Sequence, residues 1–184
     1  MDSKWENVKN STDIRGVVIK NSERDVNLID SMISSIAKAF VLLLSRKKNR
    51  DLSKLKISIG MDSRITSESI KEILISEIKK LGCTVMDCGL CSTPAMFMST
   101  IFENYKSDGA IEITASHLPY YYNGFKFFTN KGGFDKEDIN ELLDIAQNEK
   151  VCTVQKLGAI IKCDLMKDYS NFLINKIIDG IDDK

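Results

Sequence analysis

The sequence predicts a three-layer α/β/α fold around a mixed, mostly parallel sheet of about four strands, the last of them antiparallel. Three observations predict it. Short alternating apolar and polar runs at 55–60, 83–87, 109–115 and 124–129 are interleaved with stretches whose apolar residues recur three or four apart. The resulting order of strand, helix, strand, helix, strand requires right-handed crossovers and therefore a parallel core. The eight residues between Ala115 and Gly124 leave no room for a crossover helix, so the final strand must return antiparallel.

The elements follow in order. Leu28/Ile29, Met32/Ile33, Ile36/Ala37, Phe40/Val41 and Leu44 place one apolar stripe on a long helix, and Arg46-Lys47-Lys48 suits its negative end. Leu55-Lys56-Ile57-Ser58-Ile59-Gly60 alternates as a strand. Ser69 with Glu72 offers a capping box for the next helix, with Thr66 or Ser67 as alternative caps, and Gly82 supplies its stop. Cys83-Thr84-Val85-Met86-Asp87 is a short strand. Thr93 as cap and Pro94 at the first helical position open another helix. Gly109 to Ala115 and Gly124 to Thr129 are strands, and Asp135 caps a helix carrying Ile139, Leu142/Leu143 and Ala146. Residues 152–161 read as one more strand or a connector. Leu165, Tyr169, Phe172/Leu173 and Ile177 make 164–178 helical. Too little surrounds this last piece to give it a core, so it is expected to begin a second domain.

Composition narrows the function. Lys and Arg number 26, as do Asp and Glu, and this balance argues against nucleic acid as the main partner, because phosphate backbones select basic stripes. The run Phe40 to Leu44 is too short to span a bilayer, and the first residues carry no apolar segment of a secretory signal. Five cysteines, an odd number, point to reduced thiols and a cytoplasmic setting.

In an open α/β sheet, ligands gather beyond the carboxyl ends of the parallel strands. Three segments are expected there: Gly60 to Arg64, Cys88 to Ser92, and Ser116 to Pro119. In the last, a strand runs into a serine hydroxyl beside the chain's one histidine, His117, and Lys126 returns on the adjacent strand, opposite in face to Phe125 and Phe127. A serine can carry a phosphoryl group when a base and an electrostatic clamp stand near. The plain alternative is a polar surface loop. No Gly-x-Ser-x-Gly elbow is present, which disfavours acyl hydrolysis. Cys88-x-x-Cys91 has no second pair, so free thiols are expected rather than zinc or redox chemistry, and the three tyrosines at 120–122 read as loop packing.

Thr114-Ala115-Ser116-His117-Leu118-Pro119 followed by Tyr122-Asn123-Gly124-Phe125-Lys126 resembles the active-site signature of the α-D-phosphohexomutases, the phosphoglucomutases, phosphomannomutases and phosphoglucosamine mutases. Thr12-Asp13-Ile14-Arg15-Gly16 resembles their T-D-x-R-G element, Gly60 to Arg64 their G-x-D-x-R, and Ser92-Thr93-Pro94 their T-P helix start, all in the family's order. One position departs: Leu118 stands where members mostly carry Asn. The resemblance implies residues 1–160 as the first of four domains, carrying a phosphoserine loop, and 161–184 as a linker or the start of a second domain. It further implies that Ser116 is phosphorylated at rest and interconverts hexose 1-phosphate and 6-phosphate through a hexose 1,6-bisphosphate. Arg15 and Lys126 would clamp the phosphoryl group, His117 would assist as a polar or acid/base group, and Thr12 would touch substrate. Arg64 would either pair with Asp62 or contact phosphate. Mg2+ would bind an oxygen of the phosphate on Ser116, its carboxylates and the choice of hexose lying in the remaining domains of the polypeptide. Glucose 1,6-bisphosphate is the implied activator, and residues 1–184 alone are expected to be inactive. The alternative is a sugar-phosphate-binding module that keeps the fold without catalysis.

Overall fold

The computed structural model describes residues 2–150, 154 and 156–182. Their elements are α1 (Ser3–Glu6), β1 (Ile14–Val17), α2 (Asp30–Lys48), β2 (Lys56–Met61), α3 (Ser67–Lys80), β3 (Thr84–Leu90), α4 (Thr93–Met98), β4 (Gly109–Ile113), β5 (Tyr122–Thr129), β6 (Gly132–Gly133), α5 (Lys136–Asn148), β7 (Ile160–Lys162) and α6 (Leu165–Asp182). The strands form one mixed sheet in the order β1-β5-β4-β2-β3-β7, with β6 paired to β5. Strands β4, β2, β3 and β7 run parallel, whereas β5 is antiparallel to both β4 and β1. The α/β class and the antiparallel return after Ala115 are therefore as expected. The strand count is not: seven among the described residues replace the expected four.

Strand β1 is short, and its pairing comes from β5, over a hundred residues away. Gly124 faces Arg15 in that register, and a Cβ there would collide with the carbonyl of Ile14. Strand β3 runs on through Cys88-Gly89-Leu90, which was expected to be a loop. Gly89 adopts φ +61° and the β2–β3 register shifts at Ile59/Gly60, so a bulge extends the strand by absorbing one residue. Strand β7 crosses the expected boundary between residues 160 and 161 and pairs in parallel with β3, which gives Ile160–Lys162 a place in the sheet. Residues 152, 153 and 155 of the expected strand or connector at 152–161 lie outside the described residues.

Helix ends follow local chemistry. Asp135 and Asp138 form a reciprocal capping box on α5. The cap of α3 is Thr66, and Ser69 instead donates to the Thr66 carbonyl within the first turn. Ser92, extended at φ −97°, caps α4, so Thr93 and Pro94 take its first two positions. Pro94 still costs nothing there, because first-turn N–H groups have no intrahelical acceptor. Gly82, at φ +83°, ends α3.

Two cores enclose the sheet. On one face α2, α3 and α5 cover Ile57, Ile59, Ile111, Ile113, Phe125 and Phe127, with Phe40 and Phe127 ring centroids 5.2 Å apart. On the other, α4 and the start of α6 cover Met86, Cys88, Ala110 and Phe128, and Leu165 is fully buried. Along α6 the pattern then inverts, with Ile174, Ile177, Ile178 and Ile181 exposed. No described helix is long and apolar enough to cross a membrane.

Candidate active site

The parallel strands β2 and β4 end side by side, and the segments that leave them are tied together. The Asp62 backbone N–H donates to the Ile113 carbonyl at 2.9 Å. Arg64 then spans the gap to the serine loop. Its Nη2 donates to the carbonyls of Ser116 (2.6 Å) and Leu118 (2.9 Å), and its Nη1 to those of Pro119 (2.9 Å) and Tyr122 (3.1 Å). Asp62 Oδ2 accepts from Arg64 Nε at 3.0 Å, and Asp62 Oδ1 from Ser67 Oγ at 2.9 Å. Buried Asn123 closes the frame by donating to the hydroxyls of Thr66 and Ser67. With every described guanidinium bond spent on loop and ion pair, Arg64 is a staple of the loop, the first of the two roles expected for it.

The staple holds Ser116 in an uncommon conformation. Its φ of +57° is left-handed, which costs a non-glycine residue on the order of 1–3 kcal/mol and persists only where surroundings enforce it. The Ser116 N–H is satisfied by Thr114 Oγ1 at 2.9 Å. The residue is exposed, and its Oγ lies 3.5 Å from His117 Nδ1, a long contact. Tyr120, Tyr121 and Tyr122 pack ring against ring along the loop (centroids 5.4 and 5.1 Å apart), as expected of them.

Both expected cations arrive beside this loop. Arg15, on β1, donates to the Ala115 carbonyl from Nη1 at 3.3 Å. Lys126, on β5, points away from the buried Phe125 and Phe127, as the strand alternation requires. One carboxylate oxygen collects the two: Asp13 Oδ2 accepts from Arg15 Nη2 at 2.7 Å, Arg15 Nε at 3.0 Å and Lys126 Nζ at 2.9 Å. Burial would raise the Asp13 carboxyl, but these two cations outweigh it and hold it below the ordinary carboxylate range. Its other oxygen, Oδ1, is buried without a partner. Thr12 is exposed in the turn just before. Ser116, His117, Arg15 and Lys126 therefore share one end of the sheet.

Sequence reasoning missed two acids. Asp13 was read only as part of a motif, and Glu112 was not singled out at all. Glu112 is 2% exposed, sits opposite Lys126 in the β4–β5 register, and leaves Oε2 unpartnered. Burial, with Asp62 nearby, pushes it up to about 7, against the opposing pull of Thr93 and Lys126. The alternation Ile111-Glu112-Ile113 in a sheet covered on both faces was the available signal. Cys88 and Cys91 are buried free thiols, and the neighbouring Cys91 thiol together with burial raises Cys88 far above the range of a reactive thiolate.

Residues 6–151 match the model of the phosphoglucomutase/phosphomannomutase alpha/beta/alpha domain I. The chain belongs to the phosphoglucomutase/phosphomannomutase family. It is 34% identical over 146 residues to a phosphoglucomutase/phosphomannomutase of Thermococcus kodakarensis, covering 77% of this chain and 31% of that protein. It is 30% identical over 167 residues to a phosphoglucosamine mutase of Clostridium botulinum, covering 86% and 34%. The crystal structure of a family protein from Burkholderia thailandensis superposes with a TM-score of 0.73 at 23% identity, over 92% of this chain and 35% of that one, which shows the shared fold. The chain thus spans about a third of the length of these relatives. Among the described residues, no group of three or more His, Cys, Asp or Glu is arranged to hold a metal ion.

Proposed function

We propose that this chain is the phosphoryl-carrying domain of a phosphohexomutase that interconverts hexose 1-phosphate and hexose 6-phosphate through phospho-Ser116. The observation that carries the reading is the pair Arg15 and Lys126, gathered on Asp13 beside an exposed serine held in a stapled, left-handed turn. Phosphoryl transfer needs little covalent help from a protein. It needs the phosphorus positioned and the charge on its oxygens met by fixed cations.

In this reading a hydroxyl of the hexose monophosphate attacks phosphorus and gives up its proton, the bond from phosphorus to Ser116 Oγ breaks, Oγ takes up a proton, and the product is the 1,6-bisphosphate. Arg15 and Lys126 face the equatorial oxygens, and Asp13 keeps both cations in place while Ser116 is bare. In the same reading His117, whose Nδ1 lies 3.5 Å from Oγ, returns a proton to the leaving serine oxygen. Thr12, exposed at the same rim, is placed to meet the sugar phosphate. Mg2+, held through a phosphate oxygen on Ser116 with carboxylates from elsewhere in the polypeptide, would supply further neutralisation. The sugar then turns over, and Ser116 recovers the second phosphate.

The test is an assay of the whole protein with Mg2+, glucose 1,6-bisphosphate as activator, and the 1-phosphates of glucose, mannose and glucosamine in parallel. At least one should be converted to its 6-phosphate, and Ser116→Ala should abolish conversion. Undiminished conversion by Ser116→Ala would overturn the reading.

A further inference from the structure

The phosphoryl site has a charge problem that Glu112 is placed to solve. Arg15 and Lys126 against Asp13 leave one net positive charge, and Asp62 cancels Arg64 by direct pairing. An ionised Glu112 would erase that remaining charge, and a neutral Glu112 would release it. Glu112 faces Lys126 directly across the β4–β5 pair, on the sheet face shared with Arg15, and lies four residues before Ser116 on the strand that delivers the serine loop. It makes no ion pair with Lys126, whose ammonium is held by Asp13, and its Oε2 is buried without an acceptor or donor. An ionised Oε2 without a donor in a buried place is costly, and a proton on it relieves that cost.

We infer that Glu112 is a positioning residue whose degree of protonation follows the state of Ser116: the carboxylate that balances Lys126 is more populated when the serine is bare, and a proton from solvent is more often held at Oε2 when a phosphoryl dianion occupies the loop. The inference rests on the phosphoserine reading. The groups facing Glu112 are Lys126 from β5, Asp62 after β2 and Thr93 at the start of α4, and its titration near neutrality is set by burial among them. Added negative charge on Ser116 favours the neutral acid. Neutral Glu112 then leaves the one net positive charge of Arg15, Lys126 and Asp13 available where the phosphoryl oxygens need it. Transfer of the group releases the proton again.

The first measurement uses the 184-residue chain, labelled with 13C at glutamate Cδ, with the Glu112 resonance assigned by its loss in Glu112→Gln. Its midpoint should lie near 7 and should rise in Lys126→Met. Ser116→Glu, which adds a charge to an exposed residue, should raise it by about half a unit at low salt, the size expected for a charge four strand residues away. A midpoint near 4, or no movement in Ser116→Glu, would overturn the inference. The second measurement is the pH profile of sugar-phosphate conversion by the whole protein. Wild type should show an inflection near neutrality that Glu112→Gln lacks, and an unchanged profile would contradict the assignment. If Ser116 takes no phosphate while Glu112 titrates as described, the phosphoserine reading has failed by itself.

Discussion

At the scale of single residues, two acids pull in opposite directions, and each makes a prediction. Asp13 is 2% exposed and carries two cations on one oxygen. Asp13→Asn leaves Arg15 and Lys126 uncompensated and unpositioned. Because both cations keep some contact with water, the cost in stability should be about 2 kcal/mol, less than that of breaking a fully buried pair. Conversion of sugar phosphate should fall by more than tenfold. Equal activity in Asp13→Asn would show that neither cation needs the carboxylate. Since the folded-state titration of Asp13 lies below its ordinary 3.8, its contribution is present above that value and is lost as pH falls further. Glu112 is the reverse. Its folded-state value is raised from 4.5 to about 7, so folding binds a proton in that window and stability declines as pH rises through it. Glu112→Gln should therefore be more stable than wild type at pH 8, by an amount on the order of 2 kcal/mol, with the gap closing below pH 5. Denaturant melts at the two pH values would decide it.

At the scale of elements, legibility depended on where the information sits. Strands β2 and β4 and most of β5 announce themselves by alternation, and α2 and α5 by their stripes and, for α5, its Asp135 cap. Strand β1 does not, because Ile14-Arg15-Gly16-Val17 is too short to show a period and becomes a strand only by pairing with β5. Strand β7 is exposed along its length, so no buried alternation marks it. The serine loop, Lys126 and Arg15 were readable from local motifs. The Asp13 junction was not, since it joins residues 113 positions apart. Gly124 tests that pairing. Gly124→Ala pushes a methyl group into the Ile14 carbonyl and against Arg15, so it should cost about 1–3 kcal/mol. It should also impair conversion through the displaced Arg15. A stable, fully active Gly124→Ala would mean that the β1–β5 contact does not set the site.

At the scale of the whole molecule, the packed sheet contrasts with the far end of α6, whose apolar residues face outward. Helix α6 begins fully buried at Leu165 and ends with Ile177 and Ile181 63% and 66% exposed. Leu165→Ala should cost about 2–4 kcal/mol, whereas Ile177→Lys in the same helix should stay within about 0.5 kcal/mol. A reversed order would show that the end of α6 packs onto this domain. The relatives, a phosphoglucomutase/phosphomannomutase and a phosphoglucosamine mutase, are about three times as long as the matched region. The 184-residue chain assayed alone should accordingly give no turnover of glucose 1-phosphate, even with its serine loop intact.

The central claim is that the exposed hydroxyl at position 116 holds a phosphoryl group between Arg15 and Lys126. Its most direct test is to incubate the whole protein with glucose 1,6-bisphosphate and map the phosphate by mass spectrometry of its peptides. Stoichiometric label is expected on Ser116, lost in Ser116→Ala and strongly reduced in Lys126→Met. Label on any other residue, or loading that survives Ser116→Ala, would contradict it.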